Sequence, residues 1–379
     1  MRAMLISPMV LLLALTTALP VLPLQARERF TPEQASHWQT QHGWLVGCNF
    51  IPSSAINQLE MWQAESFDPK TIDRELGWAE SLGFNSVRVF LHDLLWEQDP
   101  KGLLQRMEQF LDIAAKHRIG VMFVPFDAVW DPHPALGKQR EPKPGLHNSG
   151  WMQSPGAAIL KDEQQWGRLE AYITGVIGHF KNDRRIQCWD LYNEPDNTNG
   201  NSYGQNGSRQ ELPDKPQRVH RLLEKTFAWA RSCDPVQPLT SGVWAGPDWG
   251  KDENLSPMQK LQLNQSDVIS FHSYDPLPRL QERTASLKRF GRPLLCTEYM
   301  ARPVKSTFDP HLKWMQENHV AAYNWGFVDG KSQTIYPWDS WQKPYTKEPP
   351  VWFHDIFRRD GTPYRREEVE FIRSVTGKK

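Results

Sequence analysis

The sequence predicts an α/β chain folded as a single (β/α)8 TIM barrel, and three observations predict it. Short apolar runs of strand length alternate eight times with runs of mostly helical periodicity, the order of a parallel sheet that closes on itself. Connections from a helix into the next strand are mostly short, as at Gly83-Phe84, Arg118-Ile119 and Gly291-Arg292, whereas several from a strand into a helix are long. No composition break or linker divides the 379 residues, a length that suits one large barrel.

After a polar lead-in, residues 44–50 (Trp-Leu-Val-Gly-Cys-Asn-Phe) form the first predicted strand. Residues 69–82 carry Ile72, Leu76 and Ala79 at helical spacing and stop at Gly83, a residue suited to ending a helix. Strand 2, 85–91, alternates Val87, Val89 and Leu91 with Arg88 and Phe90. An amphipathic helix at 101–117 leads to strand 3 at 120–126, then to a Pro/Gly-rich loop at 127–156. Helix 163–180 precedes strand 4, 186–193, which Pro195 terminates because it has no N–H for the ladder. An Asn/Gly-rich loop at 196–216 and a helix at 217–231 come next, followed by a short strand 5 at 239–243 and a loop at 244–257. Strand 6 (268–273), helix 278–290, strand 7 (293–297), helix 309–318 and strand 8 (321–326) complete the cycle. A last loop, 327–350, leads to helical sequence through Ile372.

Composition excludes some partners. With 44 basic and 44 acidic side chains there is no electrostatic case for nucleic acid or an anionic membrane. Arg2, the apolar stretch 9–19 and the following segment to Ala26 read as a signal peptide, so the expected division is 1–26 for the signal and 27–379 for the barrel. Export would place the mature chain outside the cytoplasm, secreted or periplasmic; an uncleaved anchor is the alternative. Cys48, Cys188, Cys233 and Cys296 lack metal-ligand spacing and read as free thiols, three of them in buried strands. No metal or cofactor is expected, and nothing in the sequence specifies an oligomeric state.

The chemistry concentrates at strand ends. Glu194 ends strand 4 and Glu298 ends strand 7, both on the mouth that bears the long loops. Strands 4 and 7 lie across a barrel mouth from each other, so the carboxyls can stand roughly 5–5.5 Å apart, the separation that lets one attack an anomeric carbon while the other protonates the leaving oxygen. Asn193 can hydrogen-bond a sugar hydroxyl near the reacting carbon. Arg88, a charge inside an apolar strand, needs a buried partner, either a catalytic carboxylate or a structural acid such as Asp190. His272 and Tyr274 share one face at the end of strand 6. His92, Asp93 and Asp127 end strands 2 and 3 and are candidate ligands for sugar hydroxyls. Seventeen Trp residues are present, and Trp130, Trp244 and Trp325 at the mouth can stack on the C–H faces of sugar rings. Trp151, Trp249, Trp338 and Trp341 lie in mouth loops as well.

This ordered set resembles clan A of the glycoside hydrolases, nearest to the cellulase-like glycoside hydrolase family 5. The matching pieces are Arg88, Asn193-Glu194-Pro195, His272, Tyr274, Glu298 and Trp325, spread over most of the barrel. The resemblance implies a retaining β-glycosidase with Glu194 as acid/base and Glu298 as nucleophile, acting on a β-linked glucan, mannan or xylan or on oligosaccharides from one. Two features depart from the family pattern: Phe126-Asp127 stand where a His pair is common, and Thr297 and Tyr299 flank Glu298 where Gly is frequent. A non-catalytic carbohydrate-binding barrel and a transglycosylase using the same two Glu residues are the competing readings.

Overall fold

The structure is a computed structural model that describes residues 26–203, 211–246 and 248–378. The expected signal peptide, apart from Ala26, lies outside the described residues. Eight parallel strands make one sheet: β1 (Val46–Asn49), β2 (Ser86–Phe90), β3 (Gly120–Val124), β4 (Ile186–Asp190), β5 (Leu239–Thr240), β6 (Ile269–His272), β7 (Leu294–Tyr299) and β8 (Ala321–Asn324). They are hydrogen-bonded in the order β5-β4-β3-β2-β1-β8-β7-β6. A parallel bridge between Val243 and Phe271 joins the two ends of that order, so the sheet closes. The predicted barrel is therefore the observed architecture.

Each of the seven crossovers carries a helix, Pro69–Ser81, Pro100–Lys116, Trp166–Phe180, Lys215–Ser232, Pro257–Gln265, Leu277–Lys288 and Phe308–Glu317, and Arg366–Thr376 follows β8. Their apolar faces explain their placement. In Pro100–Lys116, residues Leu103, Met107, Phe110, Leu111 and Ala114 recur at three- and four-residue steps and are buried. Phe110 packs on Phe50, Trp62 and Phe123, which ties this helix to β1 and β3. Each such side chain stabilises the fold by about 1.5–3 kcal/mol through burial.

Five of the described helices were not anticipated: the short Gln58–Trp62, Asp93–Gln98 and Ala157–Lys161, and two longer ones. Pro257–Gln265 has a weakly apolar face, but Ser256 and Gln259 form a capping box that the sequence does display. Pro32–His42 lies in the segment expected as a polar lead-in; Thr31 and Gln34 cap it in the same way. Only Ala35 and Trp38 of this helix are buried. They sit in a cluster with Leu45, Met122, Cys188, Val268, Leu295, Ala321 and Tyr323, residues at or near the strand beginnings, so the helix plugs the bottom of the barrel. The four cysteines are free, as expected, with Cys233 half-buried and the others buried.

Candidate active site

At the top of β4 the chain makes a two-residue extension, Tyr192–Asn193, that pairs in parallel with Phe126–Asp127 above β3. Glu194 then adopts φ +44°, a left-handed conformation. For a residue with a Cβ this costs on the order of 1–2 kcal/mol, a strain that recurs at functional positions. The turn is closed by Asn197 N donating to the Glu194 carbonyl at 2.9 Å. Asn197 Nδ2 also donates to Glu194 Oε2 at 2.7 Å, and His272 Nδ1 lies 3.0 Å from Oε1.

Glu298 faces it from β7. Arg88 Nη1 donates to Glu298 Oε1 at 2.9 Å, and Tyr274 Oη donates to Oε2 at 2.8 Å. One oxygen of each Glu and one nitrogen of His272 all lie within 4.8 Å of one another. By spacing alone these three could ligate a cation, but the Arg88 guanidinium already supplies a positive charge to Glu298. Arg88, 0% exposed, does more than pair with Glu298. Its Nε donates to Asp190 Oδ2 at 3.0 Å, Nη1 to Asn49 Oδ1 at 2.8 Å and Nη2 to Asn193 Oδ1 at 2.8 Å. Both partners weighed from the sequence are thus engaged at once. Asn193 in turn donates through Nδ2 to Asp127 Oδ1 at 2.9 Å, so its amide plane is fixed and its second N–H remains for a ligand.

The environments separate the two carboxyls. Burial raises Glu194 to about 7, opposed by the Asn197 bond and reinforced by Asp196. Burial also raises Glu298, against which His272, Arg88 and Tyr274 pull down, while Glu194 pushes up. A buried pair this close carries one charge more cheaply than two. The guanidinium and the phenol that Glu298 accepts from favour the charge on Glu298, which leaves the proton to Glu194. His272 is lowered to about 4, chiefly by burial, and is neutral near pH 7. A neutral imidazole leaves that division of charge intact.

The cleft above the pair has a cavity volume of about 240 Å³ and is walled by aromatic rings, Trp130, Trp151, Trp244, Tyr274, Trp325 and Trp338, with Asn193, Glu194 and Glu298 at its base. Trp325 is held edge-on by Phe90 and Trp151, each with ring centroids 5.7 Å away. Trp244 is fixed by its Nε1 donating to Asp196 at 2.6 Å. These three expected stacking residues, Trp130, Trp244 and Trp325, therefore do line the site.

Three expected hydroxyl ligands do not. His92 is fully buried and accepts from Leu94 N as the cap of the short helix Asp93–Gln98. Asp93 is buried under Arg168 and Ser154. Asp127 has no exposed surface; its oxygens take Asn193, the Trp151 Nε1 at 2.6 Å and the Val129 N at 3.0 Å. These bonds hold Asn193 and Trp151 in place. Burial raises Asp127 to about 7 despite those bonds. Trp249, from the mouth loops, is buried against Phe271 instead of facing the cleft. The sequence reading missed Asn197, Asn49 and Asn148. For Asn197 a signal existed, since an amide three residues past a turn Glu can reach back to it.

Comparison with known proteins identifies the family and the fold. A family model described as Cellulase (glycosyl hydrolase family 5) matches residues 53–343. Among solved structures, the chain resembles the β-1,4-mannanase of the sea hare Aplysia kurodai (19% identity, TM-score 0.52, covering 74% of this chain and 87% of that one). It also resembles the exo-β-1,4-mannosidase Op5Man5 of Opitutaceae bacterium strain TAV5 (21%, 0.52, 88% and 60%). A third likeness is to GH5_18 of Bifidobacterium longum (12%, 0.56, 88% and 79%). At such identities these likenesses show the fold. No curated protein gives a significant match.

Proposed function

Because this chain belongs to the cellulase family, glycosyl hydrolase family 5, and so is a β-glycoside hydrolase, we propose that it works by double displacement with retention. The observation that carries this is the approach of Glu194 and Glu298 to within 4.8 Å between nearest oxygens, too close to seat a water between the sugar and the far carboxylate. Glu298, ionised under Arg88 and Tyr274, attacks the anomeric carbon. Glu194, protonated, delivers its proton to the leaving oxygen and later accepts one from the incoming water. The free N–H of Asn193 bonds the sugar hydroxyl beside the reacting carbon, and Trp325 stacks on the ring.

The substrate in this reading is a β-linked oligo- or polysaccharide of the glucan, mannan or xylan type. The aromatic walls and the few fixed polar groups support a carbohydrate ligand. Signal-directed export of the chain is part of the proposal. Among the described residues no helix is long and apolar enough to cross a membrane. Arg27 is tied to the barrel, its guanidinium meeting Asp267 at 2.7 Å. A 2-fluoro β-glycoside of the accepted sugar tests the catalytic roles. It should trap the enzyme and label the peptide containing Glu298; label on any other carboxylate would refute the assignment.

A further inference from the structure

The loop after β3 and the loop after β8 do not stand apart at the barrel mouth. Asn148 N donates to the Ser332 carbonyl and Tyr345 N to the Gly145 carbonyl, each at 2.9 Å. Gln333 Nε2 donates to the carbonyls of Lys143 at 2.7 Å and Leu146 at 3.0 Å, and Gln333 Oε1 accepts from Gly145 N at 3.2 Å. His147 is fixed by Ser340 and by the Tyr336 carbonyl. Trp130 and Trp341 pack ring against ring across the same seam, with centroids 5.7 Å apart. Backbone pairing at two points, together with the Gln333 side-chain bonds, makes this seam a fixed part of the scaffold rather than a chance touching of loops.

The seam lies over one side of the catalytic pair. The enclosed lobe, bounded by His147, Asn148, Trp151 and Trp325, is lined by Glu298 as well as by Glu194 and Trp244. A second lobe, bounded by Trp244, His272, Asp275 and Arg283, is lined by Glu194 but not by Glu298. The sugar that is attacked must sit over the nucleophile, and the departing group must sit by the acid. The enclosed lobe therefore holds the glycone, and the other lobe, on the side of β5 and β6, takes the departing chain. The cleft over both carboxyls, about 240 Å³, equals roughly eight waters' share of liquid volume, which limits its glycone side to about one or two sugar rings. Asn148, which the seam brings to the wall of the enclosed lobe, is 2% exposed, and its Oδ1 is buried without a hydrogen-bond partner. A buried acceptor left open wants a donor, and the free hydroxyl of a chain terminus is one.

We propose that the enzyme acts from the chain end: the seam between the β3 and β8 loops stops the glycone side after one or two residues, and Asn148 accepts a hydrogen bond from the non-reducing terminal sugar. This rests on the assignment of Glu298 as nucleophile and Glu194 as acid. The test uses a β-linked oligosaccharide that the enzyme degrades, labelled at the reducing end, with and without a 4,6-ketal on the non-reducing terminal sugar. The uncapped chain should shorten by one or two residues at a time while the label stays on the shrinking product. The capped chain should be cut at least about 100-fold more slowly. Internal cleavage of the capped chain at a comparable rate would overturn the proposal. Asn148→Ala should raise KM for the uncapped chain by about 3–10-fold, the loss of one neutral hydrogen bond, with kcat little changed; an unchanged KM would remove Asn148 from terminal recognition. Glu298→Ala and Glu194→Gln, assayed on the uncapped chain, report the Glu pair separately. Loss of cutting in both variants alongside internal cutting by the unmodified enzyme would sink only the chain-end proposal, whereas full cutting by Glu298→Ala would sink the catalytic assignment beneath it.

Discussion

Arg88→Ala is the perturbation with the widest reach. The side chain is wholly buried and holds four acceptors: Asp190, Glu298, Asn49 and Asn193. Its loss leaves two buried carboxyls without their cation, a change that typically destabilises by about 3–5 kcal/mol. The cost falls toward the lower figure because Asp190, already raised by burial, takes up a proton once the guanidinium is gone. At about 2–3 °C per kcal/mol for a chain of this size, the melting temperature should drop by roughly 6–15 °C. Activity should fall further than stability explains, because Glu298 loses the group that keeps it ionised and Asn193 loses its orientation. A decrease of about 10²–10³ in kcat/KM on an aryl β-glycoside, measured well below the new melting temperature, is the expected scale. The pH profile should change in a defined direction. Glu298 must be ionised, so removing the cation raises its value and moves the acid limb upward, narrowing the active window. Arg88→Lys should recover charge but not the fork, giving an intermediate rate. A variant with unchanged melting temperature, rate and acid limb would refute the account of Arg88.

Three further outcomes are expected. The unmodified enzyme should lose activity as pH rises through about 7, where Glu194 gives up the proton it must donate; kcat/KM against pH checks this, and full activity at pH 9 would contradict it. Asn197→Ala removes a bond that favours the ionised form of Glu194, so Glu194 should titrate higher and the alkaline limb should move up; a limb that moves down would show that Asn197 acts otherwise. Glu194→Gln should cut turnover of natural glycosides by about 10²–10⁴ while sparing glycosides whose leaving groups need no protonation, and equal losses on both would count against an acid role.

The barrel was legible because its signals are local and repeated. Strands buried on both faces read as apolar runs, and Pro195 and the following polar loop mark where β4 ends. A charge such as Arg88 within an apolar strand is conspicuous because burial demands a partner, although the sequence could not show that Asp190 and Glu298 share it. The failures have physical causes too. Helix Pro32–His42 is held by two buried residues and a capping box, so its periodicity is faint. His92, Asp93 and Asp127 looked like ligands because they end strands at the mouth, but a strand end can also turn its side chain into the packing between helices and loops. The seam between the β3 and β8 loops joins residues near 145 to residues near 333 through backbone atoms, and backbone pairing between irregular segments leaves no mark in side-chain pattern.

The central claim is that Glu298 attacks the anomeric carbon directly while Glu194 serves as acid and then base. The anomeric configuration of the first-formed sugar tests it most directly, followed by proton NMR from the start of the reaction and before mutarotation mixes the anomers. Two displacements at one carbon should give the β anomer first, with the α anomer growing in later. The α anomer appearing first would mean a single displacement by water, and would contradict both the role of Glu298 and the reading of the carboxyl spacing.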